Sequence, residues 1–350
     1  MKAAQTLGGW RQLVLLVMFL GFTALVVTQL ADVKAVVQTL GDLVWYWAVA
    51  SVVLFAASFY LFAMLYRVGF LAVDLEVATA SMLPPLLASI FLNTFAPVGE
   101  AIFVQDAVEH GRSGAKSAPG VLLVLALDLG TTLPFIAAGM VFLGKHDALP
   151  FYDIVTGTLF LLVVLFLVAA LWLGNVRKLW LEGLLGFARR VVNRAGRLFR
   201  QPELITAAWP ESNAEQFAEA SSGIVRHPRV LAGMLLLGLV MHAVNAAGLY
   251  TLFLAFNHPV GIETVIAGFG MSMVLYVIIV TPHGVGAAEG VMSLLFASMG
   301  VPAAMAVVVA IAYRILNVWI PVVIGYFFAR RMRLFKRPET DEPDAAAGQA

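Results

Sequence analysis

Four charged side chains stand in stretches otherwise fit for lipid: Glu100, Asp128, Glu289 and Arg314. A charge in a bilayer interior is expensive, so it normally has a partner or faces a wet cavity. Together the four set three carboxylates against one guanidinium. That surplus calls for a proton on one or two carboxylates or for a cationic ligand group, because burial without a counter-charge drives a carboxylate toward proton uptake. Arg314 lies twelve residues into an apolar run of 26 and is a poor choice for packing alone. Its simplest structural role is a salt bridge with Asp128 or Glu289.

The setting of these residues repeats. Pro97, Val98, Gly99 and Glu100 form one Pro/Gly turn ending in a glutamate; the run from Pro282 and His283 through Gly284 and Gly286 to Glu289 forms another. Asp128 follows the first and Arg314 the second, 28 and 25 residues on, with Pro134 and Pro321 six and seven positions further. Paired breaks in two apolar halves point to an internally repeated transporter with its site between the repeats. Each glutamate would begin a second helical arm, where free N–H groups favour an anion, so each also has a simple alternative role as a cap. His242 and Asn245 share one helical face and suit an interhelical hydrogen bond or a cavity wall. Asn93, His283 and Tyr313 are further candidates for the wall of the same cavity.

With 61% hydrophobic and 12% charged residues, the chain cannot be a soluble globular domain. Six segments, 13–30, 43–66, 119–143, 154–174, 230–256 and 303–328, are long and apolar enough to cross a bilayer core of about 30 Å. They must be helices, since lipid offers the backbone no hydrogen-bond partner. The first run is expected to be a retained anchor rather than a cleaved signal. Cysteine is absent, which excludes disulfides and thiolate chemistry. No metal spacing, nucleophile elbow, phosphate loop or dinucleotide fingerprint occurs. No cofactor, metal or nucleic-acid partner is therefore expected, and no enzymatic activity has a motif to stand on.

Charge placement sets the expected topology. Basic residues gather at the N-terminus, in the connector 175–229 with nine against five acidic residues, and at Arg330 to Arg337. The positive-inside tendency puts all three, and hence both termini, in the cytoplasm. That count works only if 79–118 and 262–300 each enter the membrane and return. Arms of about 12 to 17 residues would then reach about 18 to 25 Å, near mid-membrane. The expected fold is an all-α polytopic membrane domain over 1–330. It has six full transmembrane helices and two re-entrant hairpins, in an inverted repeat of 43–143 and 230–328. Between Arg177 and Arg200 apolar residues recur at helical spacing beside Arg189, Arg190, Arg194 and Arg197, which suits an amphipathic helix on an anionic cytoplasmic leaflet. A basic, then acidic tail over 331–350 is expected to be disordered.

The run Asn93 to Glu100, the run Thr281 to Glu289, then Gly300, Val301, Pro302 and the pair Tyr313, Arg314 resemble the lysylphosphatidylglycerol synthase transmembrane (flippase-like) family. The resemblance covers about residues 10–330 and is most specific in the second run. It implies a cell-membrane protein related to the lipid-flipping half of aminoacyl-phospholipid synthases. Ala288 stands where an arginine is common in that family. Val124 and Leu125 replace a common Glu-Arg pair, and the arginine usual after the first run is missing. No particular lipid headgroup carries over. The synthases' soluble transfer domain has no counterpart in these 350 residues, so lysyl transfer from tRNA is not expected.

The expected function is translocation of a phospholipid or other polar lipid, its headgroup met by Glu100, Asp128, Glu289 and Arg314. A non-transporting scaffold for an envelope-building enzyme, acting through the basic connector, is the alternative from another class. An intramembrane transferase with a carboxylate base is the third. A homo-oligomer is compatible with all three.

Overall fold

The computed structural model describes residues 43–94, 99–145, 151–176, 228–278 and 287–332, together with Gly183. Every regular element among them is helical: α1 (Trp45–Leu71), α2 (Thr79–Asn93), α3 (Ala101–Glu109), α4 (Gly114–Lys145), α5 (Phe151–Val176), α6 (Pro228–Ala255), α7 (Ile262–Ile278), α8 (Ala287–Ser298) and α9 (Ala303–Arg331). Four of them, α1, α4, α6 and α9, are long and apolar enough to cross a membrane. Residues 13–30, most of the basic connector including its four arginines, and the tail beyond Met332 lie outside the described residues. The two short pairs, α2 with α3 and α7 with α8, stand where the sequence places hairpins. Three arms have the expected length, but α3 has only nine residues, about 14 Å of helix.

Helix ends correspond between the two halves. Past α1 the chain passes through Asp74 at φ 59°, and past α6 through Asn257 at φ 54°. Asx residues tolerate this left-handed conformation best after glycine. In both places a backbone N–H reaches five residues back, Leu75 to Phe70 and His258 to Phe253, each at 2.9 Å. The second arms end in the same way at Gly111 and Gly300, with φ of 73° and 86°, and with Arg112 bonded to Ala107 and Val301 to Phe296. This is the glycine-terminated helix cap, made twice. Each glycine follows its glutamate, Glu100 or Glu289, by the same eleven residues.

The two units run in opposite directions. As α1 rises through Val44, Ser51 and Ser58, its partners on α6 fall from Ala255 through Thr251 to Asn245. Each hairpin's first arm packs against the last helix of the other unit, α2 on the C-terminal part of α9 and α7 on α4. Small residues permit these crossings. A Cβ at Gly270 of α7 would lie 2.5 Å from the Phe135 carbonyl oxygen of α4, and one at Gly325 of α9 would overlap the Leu87 carbonyl of α2. Without side-chain bulk the backbones approach closely, which is how helices associate where lipid removes the hydrophobic drive.

One departure from the expected elements concerns α9. The sequence reads it as an unbroken helix, but a π turn, Ile315–Trp319, comes directly after Arg314. A π turn takes in one extra residue. This accounts for Pro321 standing seven places after Arg314 where Pro134 stands six after Asp128. The extra residue rotates the remainder of the helix by about 100°. The first part of α9 therefore faces α8 and the last part faces α2.

Candidate functional site

The ionisable residues occupy three neighbouring settings rather than one cluster. Glu289, in the first turn of α8, accepts a hydrogen bond from Arg314 Nε at 3.0 Å. Both are deeply buried, 6% and 3% exposed. Of the two partners expected for Arg314, the tertiary structure selects Glu289. The carboxylate of α8 and the guanidinium of α9 then neutralise each other within the second unit.

Glu100 sits at the N-cap position of α3, yet its side chain makes no capping bond there. The simple cap reading fails for this residue. Its Oε1 accepts instead from Asn93 Nδ2 at 2.8 Å, while Asn93 Oδ1 accepts from the Gly99 N–H at 2.7 Å. One amide side chain, at the last residue of α2, thus staples both sides of the turn. Gly99 is also required sterically, because a Cβ there would meet the Ser89 carbonyl and the Asn93 side chain. Pro97, Pro282, His283, Gly284 and Gly286 fall outside the described residues.

Asp128 meets His242 across the two units. Its Oδ1 lies 3.4 Å from His242 Nε2, which also has the Asp128 carbonyl at 3.1 Å and Thr132 Oγ1 at 3.0 Å. His242 is thus an interhelical partner, as its face on α6 suggested, and Glu100 is within Coulombic reach of Asp128.

One turn further along α6, Asn245 holds a closed ring of hydrogen bonds. Asn245 Nδ2 donates to Asn317 Oδ1 at 3.0 Å, Asn317 Nδ2 to the Tyr313 hydroxyl at 3.1 Å, and that hydroxyl to Asn245 Oδ1 at 3.2 Å. The second Asn245 hydrogen reaches Ser58 of α1 at 3.3 Å. Bonds that donate in one sense around a ring polarise each other and strengthen together. The ring joins α1, α6 and the π turn beside Arg314. Sequence reasoning named Asn245 and Tyr313 and missed Asn317, Thr132 and Ser58. Helical spacing could have found two of these, since Asn317 is four residues from Tyr313 and Thr132 four from Asp128. Ser58 carried no such signal. Among the described residues no group of three potential ligands could hold a metal.

The family model for the lysylphosphatidylglycerol synthase TM region matches residues 11–325. The chain belongs to that family. A UPF0104 membrane protein of Pyrococcus horikoshii is also similar, at 23% identity over 282 residues, or 79% of this chain and 84% of that one. For this member of the synthase TM-region family, the matched span takes in all three polar settings and both units. It is a membrane protein, and its family name ties it to membrane lipid.

Proposed function

We propose that this protein moves a polar lipid between the leaflets of the cell membrane by alternating access. The observation that carries the proposal is the exchange of hairpin arms, each packed on the last helix of the opposite unit, with the Asp128–His242 contact joining the two units. Two units related by inversion can rock against each other and open a central site to either face. The headgroup would pass through while the acyl chains remain in lipid. Its phosphate would compete with Glu289 for Arg314, so the buried ion pair is the closed state of a latch. A cationic part of the headgroup would meet Glu100 or Asp128. No covalent step is needed, so the protein acts as a translocator rather than an enzyme. Both hairpins are taken to be re-entrant, with the termini and the basic connector in the cytoplasm.

The test uses purified protein in phosphatidylethanolamine and phosphatidylglycerol vesicles, with fluorescent analogues of both lipids and dithionite to bleach the outer leaflet. Exchange is expected to exceed that of protein-free vesicles. Glu100→Gln and Glu289→Gln are each expected to slow it about tenfold, equivalent to about 1.4 kcal/mol of barrier. Exchange no faster than in empty vesicles, with cellular function lost only on neutralising Arg189, Arg190 and Arg194, would establish the scaffold instead.

Orientation has its own test, helped by the absence of cysteine. Single cysteines beside Asp32 and Asp147 are expected to react with an impermeant maleimide in intact cells. Those beside Arg190 and Arg333 are expected to react only after lysis. Outside labelling of the connector would remove the two-hairpin topology.

A further inference from the structure

We infer that Asp128 and His242 together bind one proton that is carried across the membrane in each transport cycle, an inference that rests on the translocation reading. The argument begins with the histidine. His242 Nε2 faces only oxygens: the Asp128 carbonyl at 3.1 Å, Thr132 Oγ1 at 3.0 Å and Asp128 Oδ1 at 3.4 Å. A carbonyl can only accept. The Thr132 hydroxyl spends its own hydrogen on that same carbonyl at 2.8 Å, which leaves its oxygen to accept as well. Nε2 therefore carries a hydrogen in the neutral ring, and the proton that comes and goes is the one at Nδ1.

The surroundings suit reversible charging. The rings of Phe135 and Phe269 stand 6.0 and 5.9 Å from the imidazole, centroid to centroid, and wall it with apolar surface. The Asp128 side chain keeps 21% of its surface accessible, so the pair is not sealed. Among the described residues, few polar groups face it. From α3 comes Glu100, and from α1 the buried Tyr66 hydroxyl, within Coulombic reach of both carboxylates. From α4 itself come Thr131 and Thr132, and α7 contributes Phe269. Arg314 is held by Glu289. Uptake of one proton at the His242 ring puts a cation beside the Asp128 carboxylate, whose Oδ1 lies 3.4 Å from Nε2.

Position turns this protonation into coupling. Asp128 belongs to the last helix of the first unit and His242 to the first helix of the second, so rocking of one unit against the other makes or breaks their contact. Made, the carboxylate stabilises the imidazolium; broken, the imidazolium loses that support and releases its proton to water on the other side. Only an N–H bond forms and breaks. A neighbouring pair such as Glu289 and Arg314, confined to one unit, has no such lever.

The experiment uses full-length protein in vesicles of the same two lipids, with a pH-reporting dye trapped inside and valinomycin with potassium clamping the potential. With the outside made acidic, wild-type protein is expected to acidify the lumen and to move the fluorescent phosphatidylethanolamine analogue several-fold faster than without the gradient. Asp128→Asn and His242→Gln are expected to abolish both responses, and Asp128→Glu to retain them, which guards against a variant that merely fails to fold. Lipid exchange indifferent to the gradient, with no lumen acidification, overturns the proton site and leaves the translocator standing. Absence of any lipid exchange overturns the translocator. In that case acidification that persists and depends on Asp128 still supports a proton site, and its absence removes that site too.

Discussion

Arg314→Leu is expected to lower the stability of the folded protein by about 3 to 5 kcal/mol, because it leaves the Glu289 carboxylate buried without its counter-charge. The partners are 3% and 6% exposed, and their 3.0 Å contact bridges α8 to α9 just before the π turn. Reversible unfolding by denaturing detergent in mixed micelles measures the loss. The double variant Arg314→Leu, Glu289→Leu is expected to recover most of it, since replacing a whole buried ion pair by apolar side chains is often neutral or better. Translocation would stay absent in the double variant, because neither the latch nor the phosphate ligand remains. Full activity in a folded Arg314→Leu protein would remove Arg314 from the site altogether.

Asn245→Leu is expected to be the next most damaging change, at about 2 to 3 kcal/mol by the same unfolding measurement. Leucine keeps the branched outline of asparagine and removes every donor and acceptor, so the loss reads hydrogen bonding more than packing. It removes two of the three bonds in the ring with Tyr313 and Asn317 and the additional bond to Ser58. Ser51→Ala makes a useful comparison on the same helix pair. There one hydroxyl meets Thr251 at 2.7 Å, and its loss is expected to cost about 1 kcal/mol, the usual scale for an interhelical bond within a membrane. Equal effects for the two variants would mean that the ring has no cooperative strength.

Composition and apolar run length were enough for the helical class and for the positions of α1, α4, α5, α6 and α9. Lipid leaves a backbone no other way to satisfy itself. The two short helix pairs were legible too, because a Pro/Gly turn inside an apolar stretch interrupts a pattern that is otherwise uniform. Less visible was the equivalence of Asp74 with Asn257 and of Gly111 with Gly300. In the first pair the same left-handed conformation arises from different residues, and a single sequence does not record φ. The π turn after Arg314 was hidden for a similar reason, since its only trace is one extra residue before Pro321.

By itself the sequence determined which side chains must find partners: Glu100, Asp128, Glu289 and Arg314 announce themselves by being charged where charge is costly. It could not determine which partner each takes. Periodicity relates residues along one helix, whereas Glu289 with Arg314, Asp128 with His242, and Asn93 with Glu100 are joined across helices or around a turn. Those choices rest on how α4, α6, α8 and α9 cross, and the crossings depend on where glycines let backbones touch and where the π turn rotates a face. Tertiary packing thus decided that the arginine would neutralise a carboxylate of its own unit. The histidine was left to join the two units.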